Sequence, residues 1–157
     1  MPPTNLSLLT MSITHKITLV QPYLFFEGRC DEALQFYRQT LGAEILFLMR
    51  YQESPAPPEP GPCAPPDGEK VMHASLRIGE AVLMASDGRC GGATCFKGFS
   101  LSLSITDEAE ARRIFAALTD GGHVIMPLTK TFFSPLFGMV TDRFGVTWMI
   151  ILPSATA

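Results

Sequence analysis

FSLSLSITDEAEARRIFAALTDGGHVIMPL, residues 99–128, is the stretch on which the fold turns. From Phe99 to Ile105 a large apolar side chain alternates with serine, the period-two signature of a strand with one face on a core and the other open. Thr106 or Asp107 then offers an oxygen to cap a helix. Ala109, Ala111, Ile114, Phe115 and Leu118 recur at helical spacing until Gly121-Gly122 ends the run. Strands are expected next over His123–Leu128, Phe137–Thr141 and Val146–Leu152, the last two joined by the turn Asp142-Arg143-Phe144-Gly145.

The same order stands earlier in the chain. Ile17–Phe26, rich in β-branched and aromatic residues, predicts a strand in which Pro22 marks an edge or bulge. Asp31 is a plausible N-cap for a helix carrying Ala33, Leu34, Phe36, Tyr37 and Leu41 on one side and stopping at Gly42. A strand over Ala43–Tyr51 follows, then a hairpin of Val71–Ile78 and Ala81–Ser86 turning at Gly79-Glu80. Leu41-Gly42-Ala43-Glu44-Ile45 is echoed by Leu118 and Gly121-Gly122-His123-Val124, so duplication is the simplest account. The expected fold class is α+β: two tandem βαβββ modules, 17–86 and 98–152, forming a cupped mixed sheet with helices packed outside. Residues 1–16 read as an N-terminal extension in which Met1 or Met11 begins the native chain, and 153–157 as a tail. Proline density over 54–68 forbids ladder and helix bonding, so an extended loop is expected there, over or beside the cup, and glycine-rich 87–97 is expected to link the modules.

At 157 residues, 46% hydrophobic and 17% charged, the chain suits one folded domain with one core. A formal charge of −3 with scattered Lys and Arg argues against nucleic acid as a partner. No apolar run reaches the roughly 20 residues of a membrane helix, and Met1–Ile13 lacks the basic start and long apolar stretch of a secretory leader, so the expected location is cytoplasmic. Cys30, Cys63, Cys90 and Cys95 sit in unlike contexts, and free thiols are expected. Cys90 and Cys95 have four residues between them and no second Cys/His pair nearby, which does not make a zinc site.

Strand alternation sorts the side chains by face. Met72, Ala74, Leu76 and Ile78 suit the helix side, which puts His73, Ser75 and Arg77 opposite; Ser100, Ser102 and Ser104 are likewise opposite Leu101, Leu103 and Ile105. Gln21, Tyr23 and Phe25 share the cavity face of the first strand. Aromatic walls with a few polar groups are what a small organic ligand needs. His73 is the candidate acid or base, its ordinary pKa lying closest to neutrality, although a structural histidine would fit as well. Arg77 suits either an anionic substrate group or an ion pair with Glu44 or Glu80. Phe133, beside Phe132 in the loop before the seventh strand, is assigned to the cavity or a dimer contact, while alternation turns Trp148 toward the second helix.

Six segments, PYLFFEG, FYRQTLGAE, HASLRIG, MASDG, GFSLSLSI and GMVTDRFGVTWMI, carry a resemblance in their order and spacing. Over roughly Ile17–Leu152 the chain resembles the PhnB-like branch of the vicinal oxygen chelate superfamily, which also holds glyoxalases, bleomycin resistance proteins and extradiol dioxygenases. That resemblance implies a small-molecule ligand, a homodimer and four inward strand positions where metal-dependent members carry their ligands. On this sequence those positions fall at Gln21, Met84, Ser100 and Met149, a set with two thioethers and no imidazole or carboxylate. The expectation is therefore no cofactor and no metal tetrad, with an atypical divalent ion left open. Members of the branch often carry a demethylubiquinone methyltransferase label, but Gly88–Gly92 leads into another strand rather than the helix of a nucleotide loop, which argues against that role.

Two function classes result. The first is a binding protein for a small aromatic or antibiotic-like compound, with Gln21, Tyr23, Phe25, Arg77, Met84, Ser100, Ser102, Phe133 and Met149 lining the site. The second is an enzyme of lyase, isomerase or dioxygenase type acting on a small polar metabolite, with His73 as acid or base. Binding needs less machinery, and no complete catalytic set is visible.

Overall fold

The computed structural model describes residues 17–57, 59, 61–63, 67–88 and 91–154. Eight strands and two helices occur in the order β1 (Tyr23–Phe25), α1 (Cys30–Leu41), β2 (Glu44–Arg50), β3 (Val71–Ile78), β4 (Ala81–Ser86), β5 (Leu101–Ser104), α2 (Glu108–Thr119), β6 (His123–Thr129), β7 (Leu136–Thr141) and β8 (Thr147–Leu152). They form two four-stranded sheets of identical layout, β1-β4-β3-β2 and β5-β8-β7-β6. In each, the first and last strands of the module pair in parallel and the other pairs are antiparallel. This is the expected pair of βαβββ modules in an α+β fold.

The first strand is shorter than its composition suggested. Ile17–Phe26 was expected, but only Tyr23–Phe25 pairs, and Ile17, Leu19 and Val20 stand 73%, 69% and 84% exposed. Continued along the chain, the Tyr23–Met84 register carries residues 17–19 past the start of β4 at Ala81, beside the Gly79-Glu80 turn. Helix α1 also starts differently. Arg29, not Asp31, holds the N-cap position, and its side chain makes no cap bond. The acceptor comes from the end of β4, where Asp87 Oδ1 takes the Cys30 N–H at 2.7 Å and Oδ2 takes the Val71 N–H at 2.7 Å. Asp31 instead pairs with Arg50 at 2.8 Å. Helix α2 follows the local rule, Asp107 accepting from the Glu110 N–H at 2.7 Å. α2 lies close on its sheet at Gly138, where a Cβ would fall 2.8 Å from Phe115 Cε2.

One core joins the modules. Leu24, Phe26, Leu34 and Tyr37 of the first are buried in the same cluster as Leu118, Phe144, Trp148 and Ile150 of the second. The Phe144 ring lies 5.8 Å from Phe26, 5.6 Å from Phe36 and 6.1 Å from Tyr37. Two cation–π contacts cross in opposite directions, Arg29 over Phe144 and Arg143 over Phe36, both at 4.6 Å. Trp148 takes the inward face, as alternation required, but its ring meets Tyr37 of α1 at 5.4 Å, so the partner is the first helix rather than the second alone. Tertiary packing of one module on the other decides that, and strand period cannot.

Asp142 does more than shape the β7–β8 turn. Buried to 3% exposure, its carboxylate accepts from Tyr37 Oη at 2.7 Å and Trp148 Nε1 at 2.8 Å. Its other oxygen accepts from the Phe144 and Val146 N–H groups at 2.9 and 3.1 Å. Burial, then the neighbouring Asp142 charge, pushes the Tyr37 phenol well above its usual range.

The cysteines depart in part from expectation. Cys30 is buried and free and Cys95 exposed and free, but Cys63 in the proline-rich loop is disulfide-bonded. Spacing along a chain does not say which loops meet in space. Cys90 lies outside the described residues, as do 58, 60 and 64–66 of that loop. No helix among the described residues is long and apolar enough to cross a membrane.

Asp142→Asn should cost about 2 kcal/mol in urea unfolding, because it leaves a buried donor without an acceptor. Tyr37→Phe should cost about 1 kcal/mol at neutral pH. That gap should narrow above about pH 10, where the unfolded wild-type tyrosine ionises while native Tyr37 holds its proton, so wild-type stability falls with a slope that the Phe variant lacks. Parallel pH curves for the two proteins would contradict this linkage.

Candidate functional site

The face of the first sheet turned away from α1 is set by register. Leu24 pairs with Ala85, Ala85 with Ala74 and Ala74 with Leu48, a row directed to the core. The neighbouring row therefore faces outward: Tyr23, Met84, Ser75 and Phe47. Phe25, opposite Ser86, and His73, opposite Met49, extend it. Tyr23 Oη lies 3.0 Å from His73 Nδ1, and its ring stacks on Phe25 at 4.9 Å. Phe47 closes on the imidazole from the other side at 6.0 Å. Which of the two atoms donates in this bond depends on which imidazole nitrogen carries hydrogen.

At the edge of this face Gln21 Nε2 donates to the Val82 carbonyl at 3.3 Å, and Arg77 pairs with Glu44, the second of its two expected roles. The second sheet repeats the logic. Leu101, Trp148 and Val140 form an inward row. The outward row is Ser102, Met149, Met139 and Met126, with Ser104, Ile151, Phe137 and Thr129 beside it. Phe133 stands edge-on to Phe137 at 5.1 Å, and Ser100 precedes β5.

The candidates thus fall into two groups. Gln21, Tyr23, Phe25, His73, Arg77 and Met84 belong to the first sheet, and Ser100, Ser102, Phe133 and Met149 to the second or its loops. Among the described residues no hydrogen bond or ring contact joins one group to the other. A hollow of about 250 Å³ lies where β1 and β5 approach, walled by Pro22, Leu83 and Ile78 on one side and Leu101, Ser102 and Trp148 on the other. A second hollow, of about 300 Å³, is closed on Tyr23 and Phe25 by Glu27, Ala93, Cys95, Phe96 and Phe99. Sequence reading had missed Glu27 and the residues of the linker and its exit. Phe96 in the glycine-rich linker, three residues before Phe99, is the available signal, since solvated linkers rarely carry such a ring.

The four positions to which the sequence resemblance assigns metal ligands can be tested on chemistry. Gln21, Met84, Ser100 and Met149 offer one amide oxygen, two thioethers and a hydroxyl. Divalent transition ions take imidazole, carboxylate or thiolate, so these residues do not fit one. Among the described residues no three His, Cys, Asp or Glu side chains converge on a point.

Comparison with known proteins places this architecture. Residues 18–151 match the family model described as 3-demethylubiquinone-9 3-methyltransferase. The Escherichia coli K12 protein YjdN is 36% identical over 136 residues, covering 83% of this chain and 92% of YjdN. The crystal structure of PA1353 from Pseudomonas aeruginosa superposes with a TM-score of 0.74 at 42% identity, covering 87% of this chain and 98% of that one. A putative 3-demethylubiquinone-9 3-methyltransferase, PhnB protein, from Bacillus cereus reaches 0.71 at 29% identity, covering 86% and 99%. With two βαβββ modules and a family match across nearly the whole described chain, the protein belongs to the family described as 3-demethylubiquinone-9 3-methyltransferase, which the PhnB protein of Bacillus cereus resembles in fold and sequence.

Proposed function

We propose that the chain is a cytoplasmic small-molecule-binding protein that takes an organic ligand on the outward faces of its sheets, as a homodimer and without the superfamily's metal tetrad. The observation that carries this reading is the Tyr23–His73 hydrogen bond on an otherwise aromatic and thioether face. It supplies one orienting polar pair within an apolar wall, the composition of a ligand site. The second sheet contributes Ser102 and Met149 in the same way. Methyl transfer is not part of the reading: β4 is followed by strand β5, and no glycine-bearing turn passes from a strand into a nucleotide-binding helix there.

Apolar exposure supports the dimer. Phe25, Phe47 and Phe133 are 51%, 46% and 45% exposed, and Phe132 is fully so. With Ile17, Leu19 and Val20 they are large apolar side chains that a single chain leaves in solvent. A second copy would cover it and bring one chain's first-sheet face toward a second-sheet face. The Tyr23–His73 pair also favours a second reading, acid–base catalysis on a small polar metabolite with His73 as the proton carrier.

Thermal-shift screening of aromatic and polar metabolites should yield a stabilising ligand, because a ligand that binds only the native state raises its stability by mass action. His73→Ala should weaken that ligand about tenfold and Ser100→Ala less; unchanged binding by both would remove the cup assignment. Turnover of any hit with a pH–rate profile lost in His73→Ala would select the second reading. Protein purified without chelator or affinity-tag nickel should contain less than stoichiometric metal and gain no stability from divalent ions, whereas a stoichiometric ion with a clear shift would overturn the metal-free reading. Sedimentation velocity should show a dimer at micromolar concentration, and a purely monomeric species would contradict the assembly.

A further inference from the structure

The hollow closed on Tyr23 and Phe25 has a chemistry beyond an aromatic wall. Four rings border it: Tyr23, Phe25, Phe96 and Phe99. Each has a partner that fixes it. Tyr23 is fixed by His73, Phe25 by the stack on Tyr23, Phe96 by the buried Phe26 at 5.5 Å, and Phe99 by Phe96 edge-on at 6.4 Å. Its volume of about 300 Å³ is at the lower end of ligand pockets, which run from about 300 to 1,000 Å³.

One charged side chain lines it, Glu27. Among the described residues Glu27 is the only non-glycine with a left-handed backbone, φ 47°. Such a conformation is costly for a residue with a side chain and persists where surrounding structure imposes it, often at binding sites. Gly88 leaves room for the carboxylate: a Cβ there would lie 2.6 Å from Glu27 Oε1 and 2.9 Å from Cδ and Oε2. The nearby amine of Lys70 donates to the Gly28 carbonyl at 2.9 Å, and no ion pair among the described residues includes Glu27.

An unpaired carboxylate and four aromatic rings at one hollow favour the same kind of guest. Ring faces are electronegative and attract a cation by quadrupole. A neutral aromatic ligand would leave the carboxylate without a partner as it is desolvated, and an anion would be repelled. We propose that this hollow binds an organic ammonium ion, its charge held by Glu27 and its alkyl groups against Tyr23, Phe25, Phe96 and Phe99. The proposal rests on the small-molecule reading, because Tyr23 and Phe25 belong to the first-sheet face, and narrows it to a ligand class.

The test is calorimetric titration of the full chain with choline and with 3,3-dimethylbutan-1-ol, its neutral isostere. Choline should bind about tenfold tighter than the alcohol. Glu27→Gln should abolish that preference, and Phe99→Leu, at a half-exposed ring, should weaken both probes. Equal affinity for the two probes, no choline binding at millimolar concentration, or a preference intact in Glu27→Gln would each overturn the proposal. If Glu27→Gln does not fold, Cys95 reads the site in the wild-type protein, since its thiol lines the same hollow and Cys30 is buried. A trimethylammonium methanethiosulfonate should then modify Cys95 faster than the neutral methyl reagent, relative to free cysteine, and equal relative rates would overturn the proposal. A neutral ligand from the thermal-shift screen that still binds, and still depends on His73, would leave the cup standing while the ammonium assignment fell.

Discussion

The buried carboxylate of Asp142 is the contact on which the arrangement of the two modules depends. Two of its donors, the Phe144 and Val146 amides, shape the turn between β7 and β8. The other two, Tyr37 Oη and Trp148 Nε1, come from α1 of the first module and β8 of the second. A carboxylate placed in an apolar core is tolerable only when its oxygens are fully bonded, and here four donors meet it. The Tyr37 phenol stays protonated as a result, and that hydroxyl is what lets it donate. Around this centre the aromatic rings of Phe26, Phe36, Tyr37, Phe144 and Trp148 interlock, with Arg29 and Arg143 covering the outermost rings.

Joining the modules through their helix-side core has a consequence for the site. Each sheet spends its inward row on the shared core, Leu24 with Ala85 and Ala74 in one, Leu101 with Trp148 and Val140 in the other. The alternate rows are left to face outward, and these carry Tyr23, His73 and Met84, or Ser102, Met149 and Met139. A period of two therefore sets both the core and the outward faces, so a one-residue slip in register would exchange them. Asp87 guards against that slip in the first module by bonding both the start of α1 and the start of β3.

The linker between modules walls a hollow as well as connecting them. Phe96 is anchored on Phe26, so a segment that could have run free over the surface is pinned against β1. That contact brings Cys95 and Phe99 over Tyr23 and Phe25 and gives the strained Glu27 a sheltered place beside them. The one left-handed non-glycine residue among those described is thus found where a loop and a sheet face enclose space.

The sequence by itself determined the elements and their faces. Alternation in Phe99–Ile105, helical spacing in Ala109–Leu118 and the Gly79-Glu80 turn each depend on neighbours a few residues away, and each stands in the structure with ends shifted by a residue or two. The exceptions are informative. Ile17–Val20 looks like a strand in composition but lies outside β1, running past the start of β4, and Asp31 looks like a cap but lost that place to Asp87, more than fifty positions further along the chain. His73 and Tyr23 were legible as members of an outward face, while their hydrogen bond, fifty residues apart in sequence, was not. Glu27, Phe96 and Phe99 as one hollow, Asp142 as the join between modules and the disulfide at Cys63 were decided only by tertiary structure. Each depends on which distant segments come within a few ångströms, and local periodicity carries no information about that.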